Sequence, residues 1–313
     1  MINKLLLLLL LLLGTGLSTR SVMAFELQVE PVAETVHALV GEIGPRKPEN
    51  HALNNTLGFV VTPEGVVLVG SGTTEPAARM IEDAVAKVTG QPIRWVVNIG
   101  VQDHHWMGNR YFTRKGARVI ALQRTVEDQK QVVDNHLRRL RQVLGDEEAN
   151  SLMPEWAAEA LPGERAEFEL GGKRFELIWP GGGHFPGDAL LWMPDQRVVF
   201  AGDHVFHDRM LGIQPESKLL DWQRSFHRIE ALEPLHVVPG HGHAGDLAKA
   251  RRDTGDYLDW LVTQVGKALE DWKELEETVD ELADAPQFRH LKFYDAWRRR
   301  NIHSAYLQLE AQQ

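Results

Sequence analysis

V-V-N-I-G-V-Q-D-H-H-W-M-G-N, residues Val96 to Asn109, is a short apolar strand that runs into a loop dense in metal-capable side chains. Trp95–Asn98 reads as the strand. Gln102, Asp103, His104 and His105 follow it, and Gly108 and Asn109 turn the chain into the next element. Imidazole and carboxylate suit zinc or iron, and a loop hung from a rigid strand can fix their angles. The plain alternative is a polar loop with two solvated histidines. This stretch alone does not choose between them.

Composition narrows the choice of chemistry. The 313 residues are 43% hydrophobic and 25% charged, long enough for one large domain or two small ones. With no cysteine in the sequence, disulfides, thiolate ligands and cysteine nucleophiles are all excluded, so a metal here is held by nitrogen and oxygen. Residues 1–24 stand apart. Lys4 precedes nine leucines, Leu5–Leu13, and the stretch closes on Val22-Met23-Ala24. That is the pattern of a secretory signal peptide cleaved before Phe25, since the apolar run is short for a membrane span of ~20 residues. The expected location is the periplasm, across the inner membrane, with no membrane attachment after cleavage. The leader carries Lys4 and Arg20 and no acid, so its loss moves the formal charge from −10 to −12. An acidic chain argues against a nucleic-acid partner and leaves a small-molecule substrate. Nothing in the sequence sets the oligomeric state.

Outward from the histidine loop, the pattern alternates between strands and helices. Phe25–Leu39 alternates as half-buried strands do, residues 41–55 form a long polar loop, and Gly58–Val69 reads as a hairpin. An amphipathic helix is expected over Thr74–Val88, a strand over Ala117–Leu122, and charged helical segments over Val126–Leu144 and Glu147–Ala158. Phe168–Leu170, Gly171-Gly172 and Phe175–Trp179 form the densest hairpin signal. Strands follow at Ala189–Met193, at Val198–Ala201 (ending on Gly202-Asp203) and at His236–Val238, with a helix around Trp222–Leu232. Residues 246–313 read as a polar helical extension with Trp260, Trp272 and Trp297 as packing points.

Three more strand ends carry a metal-capable tip beside glycines: His184, Asp203 and His241. A lone histidine, or a Gly-Asp turn, carries little weight; four such tips in series carry more. The order of the histidine loop, G-G-G-H-F-P-G-D (181–188), F-A-G-D (200–203) and V-P-G-H-G (238–242) resembles the metallo-β-lactamase superfamily. The opening hairpin G-F-V-V-T-P-E-G-V-V-L-V-G-S-G (58–72) resembles it too, and the likeness covers about residues 33–245. W-R-R-R-N-I-H-S-A-Y-L-Q-L-E (297–310) is similar to the tail of exported members linked to sulfur-oxidation or quinoprotein systems. The resemblance implies an α/β fold, an αββα four-layer sandwich over residues 25–245 with residues 246–313 packed on it. It also implies a one- or two-metal centre at the strand ends, with His184, Asp203 and His241 among its ligands.

The chain departs from the family motif N-T-H-x-H-x-D-H-x-x-G-N. Aligned on Asn98 and Gly108-Asn109, its first two histidines are Gly100 and Gln102 and its aspartate is His104, while His105 is kept. The site built on Gly100, Gln102 and His184 is therefore damaged, and His104, His105, Asp203 and His241 remain for one ion. In a rival register one residue bulges out, Asp103-His104 takes the aspartate–histidine role, and His105 points away. Asp103 is then a ligand; otherwise it is a free catalytic base or proton shuttle beside the metal. The family's opening aspartate is also lost, to Gly70. The resulting expectation is an exported hydrolase with one zinc ion, iron or manganese being alternatives, acting on an ester, thioester or lactam. The rival is a non-catalytic binding protein on the same fold with a decayed metal site.

Overall fold

The structure is a computed structural model and describes residues 25–312, so the expected leader, residues 1–24, lies outside the described residues. Seven strands form one sheet, in spatial order β1 (Gln28–Ala33), β2 (Val36–Val40), β3 (Thr56–Thr62), β4 (Gly65–Val69), β5 (Ile93–Asn98), β6 (Arg118–Leu122) and β7 (Glu159–Leu161). Neighbours β1 to β4 run antiparallel and β4 to β7 parallel. On this sheet lie α1 (Glu75–Ala86), α2 (Asn109–Thr113) and α3 (Gln123–Leu144), followed by the short α4 (Asp146–Asn150). Thr74 caps α1, its hydroxyl accepting from the Ala77 N–H at 3.2 Å, and Pro76 sits in the first turn.

The second sheet holds β8 (Arg165–Leu170), β9 (Lys173–Ile178), β10 (Leu190–Met193), β11 (Val198–Phe206) and β12 (His236–His241). Only β11 and β12 run parallel in it. Its helices are α5 (Leu219–Glu230), α6 (Leu247–Ala250), α7 (Asp256–Glu270), α8 (Leu275–Leu282) and α9 (Tyr294–Glu310).

Period-two alternation builds the layers. In β4, Val67 and Val69 face the second sheet while Val66 and Leu68 face α1. In β11, Val198 and Phe200 pack inward, and Val199 and Ala201 face the helices. Three apolar layers result, one between the sheets and one under each set of helices, which is the αββα order. The C-terminal helices complete the outermost layer: Tyr257, Leu258, Ile302 and Tyr306 share a cluster with Leu190, Trp192 and Val199.

Three expectations are corrected. Glu147–Ala158 is not one helix: α4 stops at Asn150, because Pro154 biases Met153 away from the helical region, and the chain then adds β7 beside β6. The strand expected to end at Gly202-Asp203 continues to Phe206. Its register slips at Gly202, whose φ of +52° a side chain would strain. Trp272 packs on nothing; it is 92% exposed, past the end of α7, whereas Trp260 and Trp297 do pack against the core. His207, close to the site in sequence, is buried, and its Nδ1 donates to the His243 carbonyl at 2.7 Å.

Candidate metal centre

Strand ends deliver the site. The end of β5 leads into a single 3-10 turn, Asp103–His105, and β11 and β12 lie side by side so that Phe206 pairs with His241. Gly240 makes the last approach possible, since a Cβ there would lie 2.1 Å from Asp203 Oδ1. Asp103, His104, His105 and Asp203 are each 1% exposed, and His184 and His241 5%.

Asp203 is the hub. His105 Nε2 lies 3.2 Å and His104 Nε2 3.4 Å from its Oδ2, and His241 Nε2 lies 3.6 Å from its Oδ1. Burial pushes the Asp203 carboxyl up, but the facing His105 and the hydrogen bond from His104 prevail and hold it well below the usual carboxylate range. One nitrogen each of His104 and His241 and one Asp203 oxygen lie within 4.8 Å of one another. That spread suits a single ion among the described residues.

Tautomers separate the two histidines. His241 Nδ1 donates to the Asn54 carbonyl at 2.9 Å. Its contact with Arg209 Nη1 at 3.4 Å is then donor against donor and no hydrogen bond. Nε2 of His241 therefore carries a lone pair aimed at Asp203 Oδ1, an oxygen with no hydrogen-bond partner. Two buried acceptors facing each other call for a cation between them. Both ring nitrogens of His105 are likewise buried without a hydrogen-bond partner. His104 differs. Its Nδ1 lies 2.8 Å from Arg46 Nη2, and arginine can only donate. Nδ1 accepts, so the neutral ring keeps its proton on Nε2 and points it at Asp203. Burial first, then the Arg46 charge, push His104 down to about 3.

Asp103 is not free. Arg46 reaches its Oδ1 at 2.6 Å and its Oδ2 at 2.9 Å. Burial alone would raise the Asp103 carboxyl; the guanidinium overrides it and holds it far below the ordinary range. The register aligned on Gly108 places His104 and His105 beside Asp203, as found, but it leaves Asp103 free, whereas Asp103 is paired with Arg46. His105 faces Asp203 rather than pointing away, and Asp103 faces Arg46 rather than either a metal or a reacting group. His184 lies outside the close group, its ring edge-on to Phe185, Phe206 and Trp222.

Gly100 has no space for a side chain, because a Cβ there would meet His105 Cδ2 at 2.3 Å. Trp106 is fully buried, donates to the Val101 carbonyl at 2.9 Å and stacks on Trp156.

Several residues of the site carried no earlier assignment. Asp188, the last residue of the glycine-rich motif, accepts from Val101 N at 2.9 Å and Phe185 N at 2.7 Å, tying two site loops together. Burial and then Asp203 raise it to about 7, against those two donors. Arg209 lies beside His241, and burial pushes its guanidinium down to about 10. Arg46 comes from the 41–55 loop, which sequence pattern marks as polar and no more.

A family model described as Metallo-beta-lactamase superfamily matches residues 53–241. Among curated proteins, the α subunit of a 2,4-dinitroanisole O-demethylase from Nocardioides is 34% identical over 85 residues, 27% of this chain and 26% of that protein. A type 2 metallo-beta-lactamase from Elizabethkingia meningoseptica is 25% identical over 189 residues, 58% of this chain and 67% of that one. The chain thus spans about a quarter of the first relative and two thirds of the second. The solved metallo-beta-lactamase from Pontibacter korlensis superposes with a TM-score of 0.58 at 20% identity, covering 75% of this chain and 99% of its own. The DIM-1 metallo-beta-lactamase does so at 0.58 and 18%, covering 75% and 97%. At these identities the shared property is the fold.

Proposed function

The chain belongs to the metallo-beta-lactamase superfamily, and from that premise we propose that it is a metal-dependent hydrolase working with one ion on a small ester, thioester or lactam. The observation that carries this reading is the pair of facing acceptors, His241 Nε2 and the unpartnered Asp203 Oδ1, 3.6 Å apart. Asp203 and His241 would hold the ion, with His105, or His104 once its Nε2 proton is displaced, as the third ligand, and zinc suits this nitrogen and oxygen set. Such an ion supplies a water ionised near neutral pH and polarises a carbonyl oxygen. The chain's own part is positional. Asn54 fixes the tautomer of His241, His104 hydrogen-bonds Asp203, and Asp103 holds Arg46 rather than acting as a base. Burial of these groups excludes bulk water and strengthens each contact.

The substrate class rests on likeness to relatives, an associational warrant. Export to the periplasm rests on the leader pattern at residues 1–24. No helix of the described residues is long and apolar enough to cross a membrane. A second reading, a binding protein with a decayed site, draws on Gly100, where the His105 ring fills the space a ligand would need.

Metal content decides between them. The full chain, purified without chelator, should hold one zinc, iron or manganese ion by elemental analysis. His241→Ala and Asp203→Asn should each lower affinity by at least ~10-fold. A wild type that takes up none of the three when supplied leaves the binding-protein reading standing.

A further inference from the structure

Arg46 lies 57 residues from Asp103 in sequence, yet it is wired into the centre more fully than any histidine. Its Nη1 donates to Asp103 Oδ2 at 2.9 Å. Its Nη2 lies 2.6 Å from Asp103 Oδ1 and 2.8 Å from His104 Nδ1. With the Gln102 amide turned to satisfy both its ends, Nη2 also meets the Gln102 carbonyl oxygen at 3.1 Å, while the Gln102 nitrogen donates to Asp203 Oδ2 at 3.2 Å. The two protons on Nη2 serve His104 Nδ1 and the Gln102 oxygen, while Asp103 Oδ1 meets Nη2 as an ion pair without a hydrogen bond. The Arg46 side chain is 16% exposed and that of Asp103 1%.

The loop that brings Arg46 in is itself anchored. Asn54 Nδ2 donates to the Gly44 carbonyl at 2.9 Å, and Asn50 ties Glu42 at 2.9 Å to Pro45 at 3.1 Å. Asn55 reaches the His104 carbonyl at 3.3 Å, and His51 pairs with Glu148 at 3.0 Å. Asn54, itself part of this network, supplies the carbonyl that sets His241.

We propose that Arg46 is the resident cation of this centre: it neutralises Asp103, fixes the proton of His104 on Nε2 and, through Gln102, orients Asp203, leaving a place for one metal ion rather than two. Two buried carboxylates need two positive partners. Asp103 has the guanidinium, whose planar fork matches a carboxylate and is charged at every working pH. Asp203 has histidines and the gap towards His241. A second ion beside Asp103 would sit against a fixed positive charge, and Gln102 and His104 already spend their acceptor atoms on Arg46.

The ion count rests on the proposed hydrolase reading; the role of Arg46 does not, and the experiment separates them. Wild type, Arg46→Ala and Arg46→Lys are melted with and without millimolar methylguanidinium, methylammonium serving as control, and wild-type metal is counted in excess zinc. Arg46→Ala should melt about 10 °C lower. Methylguanidinium at ten times its dissociation constant should restore about 3–5 °C to that variant alone. Arg46→Lys, one ammonium in place of a fork, should melt between the two. Equal response of wild type and Arg46→Ala to methylguanidinium, Arg46→Lys melting with wild type, or two firmly held zinc ions in wild type would each overturn the proposal. If Arg46→Ala does not fold, Arg46→Lys and the ion count still decide. A wild type without any ion overturns the hydrolase reading and leaves Arg46 to the melting arms.

Discussion

Position 100 is filled from outside. The ring of His105 passes where a Cβ of residue 100 would stand, at 2.3 Å from Cδ2 and 2.4 Å from Cγ. The backbone of Gly100 is not among those with positive φ, so alanine is excluded there by space rather than by conformation. Gly100→Ala should leave the fold intact and push His105 off Asp203, weakening zinc by at least ~10-fold in competition with a chelator. Unchanged affinity with native circular dichroism would remove His105 from the ligand set. At Asp103 the sign of the pH effect is fixed by direction. Its folded carboxyl titrates below the unfolded value of about 3.9. The ion pair therefore stabilises fully above that value and is lost as pH falls further. Asp103→Asn should cost about 3–5 kcal/mol at pH 7, because it leaves Arg46 without its counter-charge, and the gap to wild type in thermal melts should narrow below pH 4. A constant gap from pH 7 to 3 would mean the pair contributes nothing. Asp203 and His241 stand out in the sequence because each follows an apolar run beside glycine. Arg46 does not. A loop without periodicity shows a charge, and which carboxylate that charge meets is set only when two distant segments fold together.

Among the elements, those that were legible are those whose period and punctuation agree. The opening hairpin, α1 with its Thr74 cap, and β5 with its loop stand where alternation and capping place them. β11 was read short because Gly202-Asp203 looks like a stop. In the structure the slip at Gly202 is taken up as a bulge, and pairing with β12 resumes as far as Phe206 and His241. That continuation sets Asp203 and His241 on neighbouring strands. It is held from beyond the sheet: Thr254 Oγ1 accepts from Phe206 N at 2.9 Å and donates to the Phe206 carbonyl at 2.6 Å. Asp253, 1% exposed, accepts from Asp208 N at 3.1 Å. Both lie in a single π-helical turn, Arg251–Gly255, between α6 and α7. No hydrophobic period announces such a turn, and β7, three residues long at the sheet edge, is too short to show one.

At the scale of the whole molecule, one interior serves both the sandwich and the C-terminal helices. The outer face of the second sheet offers Leu190, Trp192, Val199 and Ala201, and α5 covers part of it with Trp222, Phe226 and Ile229. The remainder is closed by Tyr257, Leu258, Leu261 and Val265 of α7 and by Ile302, Ala305 and Tyr306 of α9. Fully burying one large apolar side chain is worth ~1.5–3 kcal/mol. A handful of them equals the whole stability of a typical domain, ~5–15 kcal/mol. Polar ties add to this: Asn301 accepts from Ile213 N at 2.8 Å and donates to the Leu211 carbonyl at 2.8 Å, both buried. Removing residues 246–313 would expose that face and leave the Phe206 and Asp208 backbone donors without Thr254 and Asp253. A chain of residues 25–245 should therefore lack a cooperative melt and bind a hydrophobic dye such as anilinonaphthalene sulfonate, while 25–313 melts in one transition with low dye binding. Such loss would reach the metal centre as well, since the end of β11 carries the pairing that brings His241 to Asp203. A cooperative melt and retained metal in the shorter chain would show instead that the four layers close without the extension.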